Sequence, residues 1–164
     1  MAKVQYCTPE WLAETGQIYA DRPEYKEKLK KLSAKMSYRI KAEPAWGIDV
    51  DILFAAFFDQ GELSKFGFIS EADARKESDY VLAATPQEWK RLLRKEGKFV
   101  GDFMLGKIKL EQGSKVGVLS IAPHSGNLID WMTQVEIQFP DEMTADELET
   151  YRSYLATFSK EFNV

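Results

Sequence analysis

The chain has 164 residues, of which 45% are hydrophobic and 29% are charged, a balance that suits one globular domain with a real core. Its net charge of −4 argues against nucleic acid as the main partner, because phosphate binding needs a basic face. The single cysteine, Cys7, excludes an internal disulfide framework, and no signal-peptide pattern or membrane-length apolar run occurs, so we expect a soluble cytoplasmic protein.

Two helices are predicted at the start of the chain. Thr8, Pro9 and Glu10 form a typical helix beginning, with a capping hydroxyl, a proline at the first helical position and an acid near the positive end. A second helix is predicted over residues 23–34, where apolar residues occupy one face and lysines the other.

The hydrophobic period then changes to two, which indicates strands. The first strand is predicted over residues 36–42. The second begins at Ile48 with clear alternation and becomes apolar on both faces over residues 53–58. The sequence Asp59-Gln60-Gly61-Glu62 predicts a hairpin turn, and residues 66–69 are predicted to form the return strand.

The segment 79–113 alternates between strand and helix. A fourth strand is predicted over residues 80–84, and Thr85-Pro86-Gln87-Glu88 has the spacing of a capping box that begins a helix. Large apolar residues predict a shorter helix near residues 99–104. Alternation around residues 108–110 predicts a fifth strand.

The last part of the chain is predicted to be mostly helical. A helix is expected over residues 115–121, followed by a loop over residues 123–127. Residues 128–139 could continue a helix and then become extended. Thr144-Ala145-Asp146-Glu147 forms another capping box. The helix after it has one apolar face, made of Leu148, Tyr151, Leu155, Phe158 and Phe162. That face could pack on the domain, close one end of a cavity or form a homodimer, and packing is the preferred interpretation.

These elements predict the fold class. Five strands in mostly hairpin-like order, with helices before, between and after them, indicate an α+β fold. We expect a mostly antiparallel five-stranded sheet with helices on one face.

The sequence offers no convincing catalytic group. The run from Gly101 to Lys107 has the spacing of a phosphate-binding loop, but residue 108 is Ile where the motif needs Ser or Thr, and a strand follows instead of a helix. A catalytic dyad of Cys7 and His124 would have to join the N-terminus to a late loop, and an exposed His with a partly buried Cys is the simpler interpretation. Nitrogen and sulfur ligands are too few for a zinc site. We therefore expect no catalytic residue, metal or cofactor.

Two sets of charges have an ordinary interpretation. Alternation places Asp49 and Asp51 on the solvated face of a strand, and although Asp59 follows, no further ligand nearby supports a cation site. The basic residues of the helices predicted over 23–34 and 86–95 could dock transiently on an anionic membrane. Acidic neighbours dilute their charge, so a solvated helix face is the preferred interpretation.

The segment from Asp79 to Gly113 resembles the sterol carrier protein type 2 family, which consists of small intracellular lipid-binding and lipid-transfer domains. The resemblance lies in Tyr80-Val81-Leu82 leading into Thr85-Pro86-Gln87-Glu88-Trp89, and in Gly101-Asp102-Phe103-Met104-Leu105-Gly106-Lys107-Ile108-Lys109-Leu110. It covers about residues 30–122. Family members usually have Gly-Asp after the last strand, where this chain has Gln112-Gly113-Ser114, and the extension over residues 123–164 is not explained.

The resemblance implies a hydrophobic tunnel between the sheet and its helices that holds a fatty acyl chain, a sterol or a similar lipid. Carried across by position, Phe103, Met104, Ile108 and Leu110 fall on a segment that helps to form the tunnel wall. The candidate tunnel residues are Phe54, Phe58, Phe66, Phe68, Trp89, Phe103, Met104, Ile108 and Leu119. Large apolar residues of this kind are most often core, so the resemblance is what favours a cavity.

Taken together, the residues and the resemblance predict a single domain over 1–164, with a family-like core at about 30–122 and the extension 123–164 packed on it. The predicted function is non-catalytic binding and transfer of a long-chain fatty acyl, sterol-like or isoprenoid lipid. Two alternatives stay open: an accessory factor or enzyme that presents an apolar substrate, and a protein-interaction module that uses the C-terminal helix.

Overall fold

A computed structural model describes residues 3–162, and their side chains over 3–159. The strands are β1 (Val4–Gln5), β2 (Ala34–Ile40), β3 (Ile52–Asp59), β4 (Glu62–Phe68), β5 (Tyr80–Ala84), β6 (Lys109–Gln112) and β7 (Ile137–Gln138). The helices are α1 (Pro9–Asp21), α2 (Pro23–Lys28), α3 (Glu71–Glu77), α4 (Pro86–Leu93), α5 (Phe99–Met104), α6 (Lys115–Ile121), α7 (Ser125–Met132) and α8 (Ala145–Phe162). No helix of the described residues is long and apolar enough to cross a membrane.

The main sheet has five strands in the order β4-β3-β2-β5-β6. The pairs β2–β3, β3–β4 and β5–β6 are antiparallel, whereas β2 and β5 are parallel. The β3–β4 hairpin and α3 provide the long connection that a parallel pair requires. The predicted α+β class and the mostly antiparallel sheet are therefore confirmed. A separate parallel ladder of β1 and β7, which the sequence did not predict, ties the N-terminus to the last third of the chain.

The two faces of the sheet belong to different clusters of buried residues. On β3, Phe54 and Phe58 face the main core, whereas Leu53 and Phe57 face a smaller cluster that α3 covers with Ala74. This explains why β3 is apolar on both faces. It also corrects the expectation that helices cover one face only, because α3 packs on the other face. Helices α1, α2 and α4 to α8 each contribute buried side chains to the main core.

Capping side chains begin the helices where the sequence predicted them. The Thr8 hydroxyl accepts a hydrogen bond from the Trp11 backbone N–H at 3.3 Å, and the Thr85 hydroxyl does the same for Glu88 at 3.3 Å. The helix predicted over 23–34 is shorter than expected. It ends at Lys28 because the chain must turn there to reach β2, whose first residue already pairs with β3.

Two sequence predictions about local structure are wrong. The strand expected from Ile48 begins only at Ile52, because residues 44–46 form a 3₁₀ turn and Ile48 makes just an isolated bridge. Residues 123–127, predicted to be a loop, belong to a 3₁₀ turn and to the start of α7. Burial of Trp131, whose indole N–H donates to the Thr15 carbonyl at 2.8 Å, outweighs the weak helix preference of this segment.

The apolar face of α8 packs on the rest of the chain. Tyr151, Leu155 and Phe158 are buried, and the Phe158 ring stacks on Phe68 with centroids 4.7 Å apart. The Tyr151 hydroxyl donates to the Tyr6 carbonyl. The side chain of Phe162, which the sequence placed on the same face, lies outside the described residues. The assignment of 1–164 to a single domain stays a prediction.

Candidate functional site

An apolar cavity of about 70 Å³ lies between the main sheet and the helices that cover it. Strands β2, β3 and β5 line the cavity on the side of the sheet, and residues of α1, α4, α5 and α7 line it on the side of the helices. Its lining comprises Tyr6, Trp11, Met36, Tyr38, Phe54, Leu82, Trp89, Leu92, Leu93, Phe99, Ile121, Ala122, Ser125, Leu128, Ile129 and Met132.

Five aromatic rings form a continuous wall along this cavity. Ring centroids are 5.2 Å apart for Tyr6 and Trp11, and 5.5 Å apart for Trp11 and Phe54. The series continues from Phe54 to Tyr38 at 5.1 Å and from Tyr38 to Trp89 at 5.7 Å. Tilted and edge-to-face contacts at these distances are favourable, so neighbouring rings hold one another in place. The wall joins the N-terminal segment, the sheet and α4.

The polar atoms of this wall differ in how well they are paired. The Trp89 indole N–H donates to the Arg39 carbonyl at 3.0 Å, and the Tyr38 hydroxyl has the Met36 sulfur as its acceptor at 3.3 Å. Trp11 is 1% exposed, and its indole N–H has no hydrogen-bond partner among the described residues. Leaving a buried donor unpaired costs about 1–3 kcal/mol. The cavity wall therefore contains a donor that the protein does not satisfy.

The cavity is electrically neutral. None of the described residues that line it is charged. Burial raises the pKa of Tyr38 and, together with the neighbouring Cys7 thiol, that of Tyr6. Both hydroxyls therefore stay protonated at ordinary pH.

The structure brings two of the nine predicted tunnel residues, Phe54 and Trp89, to the cavity. Phe58 and Phe66 instead pack against Trp131, with ring centroids at 6.0 and 5.0 Å. Phe68 stacks on the helix α8, as described above.

The four remaining predicted residues lie in or near α5 and α6. Phe103 is buried and stacks on Phe99, a lining residue, with centroids 5.9 Å apart. Ile108 is buried in the core, whereas Met104 and Leu119 are 55% and 37% exposed. Contact of any predicted residue with a ligand stays a prediction.

Sequence reasoning missed the part of the lining that α7 provides. Leu128, Ile129 and Met132 lie at helical spacing and reach the cavity, but the loop predicted over residues 123–127 left the structure of the following segment open. The spacing of these three residues was the signal that could have identified the helix. Tyr6 and Trp11 were missed because the N-terminal segment has no strand or tunnel signature of its own.

Of the groups considered for chemistry, Cys7 and Asp102 are buried, and His124 is half-buried in a 3₁₀ turn. Cys7 is fully buried, and burial raises the pKa of its thiol well above the ordinary value, which disfavours the reactive thiolate. Asp102, inside the apparent phosphate-binding loop, is buried and accepts a hydrogen bond from Arg91 at 3.2 Å. Among the described residues, no group of three or more His, Cys, Asp or Glu side chains could hold a metal ion.

The basic residues of α4 are paired with acids. Arg91 contacts Asp102 as described, and three further pairs at 2.7–3.0 Å connect the helix and its C-terminal end to the last third of the chain. These pairs are Lys90–Asp141, Arg94–Glu142 and Lys95–Asp130. In α2, Lys26 pairs with Glu62. Of the basic residues in these two helices, Lys28 alone forms no ion pair with another described residue, so little cationic charge is free to bind a membrane.

The fold is that of sterol carrier protein 2. A sterol carrier protein 2 crystal structure superposes with a TM-score of 0.66 at 14% identity, covering 80% of this chain and 99% of that one. A conserved hypothetical protein from Thermus thermophilus superposes with a TM-score of 0.70 at 14% sequence identity, and the match covers 84% of this chain and 94% of that one. The palmitated SCP2L2 protein from Aedes aegypti superposes with a TM-score of 0.50 at 16% sequence identity, and the match covers 72% of this chain and 94% of that one. No protein-family sequence model matches the chain. No curated protein sequence matches it either.

Proposed function

We propose that this protein is a non-catalytic carrier that binds a long-chain fatty acyl, sterol-like or isoprenoid lipid in the aromatic-walled cavity. The observation that carries the proposal is the neutral, almost wholly apolar cavity between sheet and helices. The sterol carrier protein 2 fold supports it, as does the palmitated state of SCP2L2, one of the structural neighbours.

The size of the cavity implies that it opens when lipid binds. Its 70 Å³ is well below the roughly 300–1,000 Å³ of ligand pockets. Phe99, Leu128 and Ile129 are only partly buried, so they can move outward at less cost than the core residues behind them. Met36 and Met132 also line the cavity, and their unbranched side chains adapt readily to a new shape. Lipid entry should therefore displace α5 and α7 side chains and leave the sheet unchanged.

The expected affinity follows from apolar burial. A chain of about twelve methylenes gains on the order of 10 kcal/mol at about 0.8 kcal/mol each. Association costs of at least about 4 kcal/mol leave a Kd near the micromolar range. The cost of opening the cavity weakens this further, which suits a carrier that must release its lipid.

The chemistry of the wall restricts the part of the lipid that enters. An ionised headgroup would find no countercharge there, and burying an unpaired charge is very costly. The apolar chain is therefore buried while a charged headgroup stays outside. The unpaired indole N–H of Trp11 suits one uncharged acceptor oxygen on the buried part of the lipid.

In this proposal Phe54 and Trp89 contact the lipid directly, and Phe103 supports the wall through Phe99. We also propose that the protein works in the cytoplasm and docks transiently on membranes to exchange its lipid. The alternative use of α8 as an interaction module loses support, because its apolar residues Tyr151, Leu155 and Phe158 are already buried.

Native mass spectrometry followed by organic extraction of the purified protein tests the function. We expect a co-purifying long-chain lipid, or stoichiometric binding of palmitate added to the delipidated protein. Binding should also change the fluorescence of Trp11 and Trp89, which line the cavity. A protein that neither retains lipid nor binds palmitate, dodecan-1-ol or farnesol would contradict the proposal.

A pair of leucine-to-tryptophan variants tests the location. Leu128→Trp adds volume inside the cavity and should weaken palmitate binding at least about tenfold. Leu119→Trp adds the same volume on α6 at a side chain that is 37% exposed and outside the lining, and should leave binding within about twofold. A larger loss of palmitate binding in Leu119→Trp than in Leu128→Trp would instead support the tunnel position that the sequence predicted for Leu119.

A further inference from the structure

The exposed large apolar side chains of this protein are concentrated in one segment. Six such residues occur among those described, and five lie between residues 100 and 119. We call these five the α5–α6 patch: Val100, Met104, Leu105, Val116 and Leu119, which are 45%, 55%, 75%, 79% and 37% exposed. The sixth, Val50, is 54% exposed and lies in the loop before β3. Scattered exposed apolar residues are ordinary, but a concentration of this kind marks an interaction site.

Helices α5 and α6 are apolar on two sides. In α5, Phe99 and Phe103 lie four residues apart and face the interior, whereas Val100 and Met104 have the same spacing and face solvent. A surface helix normally carries polar residues opposite its buried face. The inward pair already satisfies the packing of α5, so the outward pair is not required for folding.

The same pattern occurs in α6. Val118 is fully buried and Ile121 lines the cavity, whereas Val116 and Leu119 are exposed three residues apart. Phe99 of α5 lines that cavity as well. Both helices therefore border the proposed lipid site with one side and present apolar side chains to solvent with the other.

The charges next to the patch are basic and unpaired. Lys98, Lys107 and Lys115 are exposed, and none of them forms an ion pair with another described residue. Lys109 is also exposed, but it alternates with Leu110 on β6 and lies on the face of the sheet that Arg39 and Glu111 occupy. The acids of this segment are largely occupied: Asp102 is buried against Arg91, and Glu111 pairs with Arg39. Free lysines around exposed aliphatic side chains complement an anionic lipid surface, in a protein whose net charge is −4.

We propose that the α5–α6 patch is a membrane-docking surface that recognises bilayers containing anionic lipids. Val100, Met104, Leu105, Val116 and Leu119 insert at the level of the headgroups, and Lys98, Lys107 and Lys115 contact the lipid phosphates. This surface differs from the basic faces of α2 and α4, where most cations are paired. Docking here places the cavity edge formed by Phe99 and Ile121 beside the bilayer. The last point rests on the proposed binding of lipid in the cavity, whereas docking through the patch does not.

Vesicle co-sedimentation tests the proposal with the full chain. We expect binding to vesicles of 70% phosphatidylcholine and 30% phosphatidylserine, weak binding to pure phosphatidylcholine, and loss of affinity as salt increases. Leu105→Gln should lower the partition coefficient about tenfold, and Lys107→Gln about fivefold. Because both side chains are exposed, circular dichroism and the unfolding midpoint should match those of the wild type.

Matched substitutions outside the patch provide the controls. Val50→Gln removes the other exposed aliphatic side chain, and Lys31→Gln removes an exposed, unpaired lysine near the end of α2. Both should keep wild-type partitioning within about twofold. Equal losses in the patch and control variants, or no binding of the wild type to the anionic vesicles, would overturn the proposal.

Two further readouts distinguish membrane docking from dimerisation and from lipid binding in the cavity. If size-exclusion chromatography with light scattering shows a wild-type dimer that Leu105→Gln dissociates, the patch is a contact between two copies and the membrane proposal is wrong. Palmitate binding measured without vesicles should be unchanged in Leu105→Gln. Failure of the carrier function would remove palmitate binding from every variant and leave vesicle docking intact.

Discussion

Neighbouring residues of one strand illustrate how different the two faces of the main sheet are. On β2, Tyr38 points to the cavity and belongs to the aromatic wall, whereas Arg39 points to the opposite face. There the guanidinium group of Arg39 binds Glu71 and Glu111 at 2.6 and 2.7 Å, and Asp51 at 3.3 Å. One face is thus neutral and aromatic, and the other is centred on a charge.

The ionic face has the directional contacts that hold separate elements in place. Burial disfavours the charge on Arg39, but hydrogen bonds and attraction from Glu71 and Glu111 outweigh it, and the net result is a pKa above the ordinary value for arginine. One side chain thereby connects β2 to α3, to β6 and to the loop before β3. The cavity face has few directional contacts, so its side chains can rearrange around a lipid while the sheet stays fixed. We infer that the ionic face maintains the fold and the aromatic face adapts to the ligand.

Arg39→Leu should give the largest effect. It leaves the carboxylates of Asp51, Glu71 and Glu111 with only Arg75 nearby, which is 3.8 Å from Glu71 and from Glu111. We expect the free energy of unfolding to fall by about 3 kcal/mol, the lower end for a broken buried pair, because water and Arg75 partly compensate the acids. Urea unfolding measures the change. Palmitate affinity of the folded variant should stay within about twofold, because Arg39 does not line the cavity.

The matched control is Lys95→Leu, which breaks an ion pair with Asp130 whose side chains are 61% and 45% exposed. Such a pair contributes about 0–1 kcal/mol. Similar losses for Arg39→Leu and Lys95→Leu would mean that the cluster does not hold the elements together. A large loss of palmitate affinity in Arg39→Leu would contradict the division between the faces.

The sequence predicted the sheet better than it predicted the site. Alternation on β2, the Asp59–Glu62 turn and the Thr85 cap are local sequence signals. Each one correctly predicted a strand, a hairpin or the beginning of a helix. The two faces of β3 could not be assigned, since both are apolar and only the position of α3 separates them.

The cavity depends on contacts between distant parts of the chain. Trp11 and Met132 both line the cavity although they are 121 positions apart in the sequence, and no local pattern encodes such an arrangement. Phe58 and Phe66 are large and apolar, as tunnel residues are expected to be, but they pack on Trp131 of α7, a segment whose structure the sequence left open. The resemblance to a family identified the correct fold, and side-chain placement required the structure.

Alkaline pH should weaken the aromatic face selectively. Burial raises the pKa of Tyr6, Tyr38 and Tyr151, and that of Tyr19 to about 12, all above the ordinary value near 10. Each hydroxyl therefore contributes stability that is fully present below pH 10 and is lost as the pH rises toward the folded-state pKa. Arg39, with its raised pKa, stays charged throughout this range.

Tyr38→Phe measures the contribution of one such group. Between pH 10.5 and 11.5, the slope of unfolding free energy against pH should be shallower than in the wild type by about 1.4 kcal/mol per pH unit, because one fewer proton is released on unfolding. Urea unfolding at several pH values gives the slope. An identical slope in both proteins would show that the Tyr38 hydroxyl ionises equally easily in the folded and unfolded chains.

The smallest expected effect concerns the unpaired donor of the cavity wall. Trp11→Phe removes the indole N–H, and the preference of the cavity for dodecan-1-ol over dodecane should fall about fivefold, which corresponds to one hydrogen bond of about 1 kcal/mol. Displacement of a fluorescent fatty-acid probe by each compound measures this preference.

Trp89→Phe is the matched control, because that indole N–H already donates a hydrogen bond to the Arg39 carbonyl and is not free to bind the ligand. It should lower stability and leave the alcohol preference unchanged. If the wild type, Trp11→Phe and Trp89→Phe all prefer dodecan-1-ol over dodecane equally, no donor of the wall binds the alcohol oxygen, and the cavity selects its lipid by shape alone.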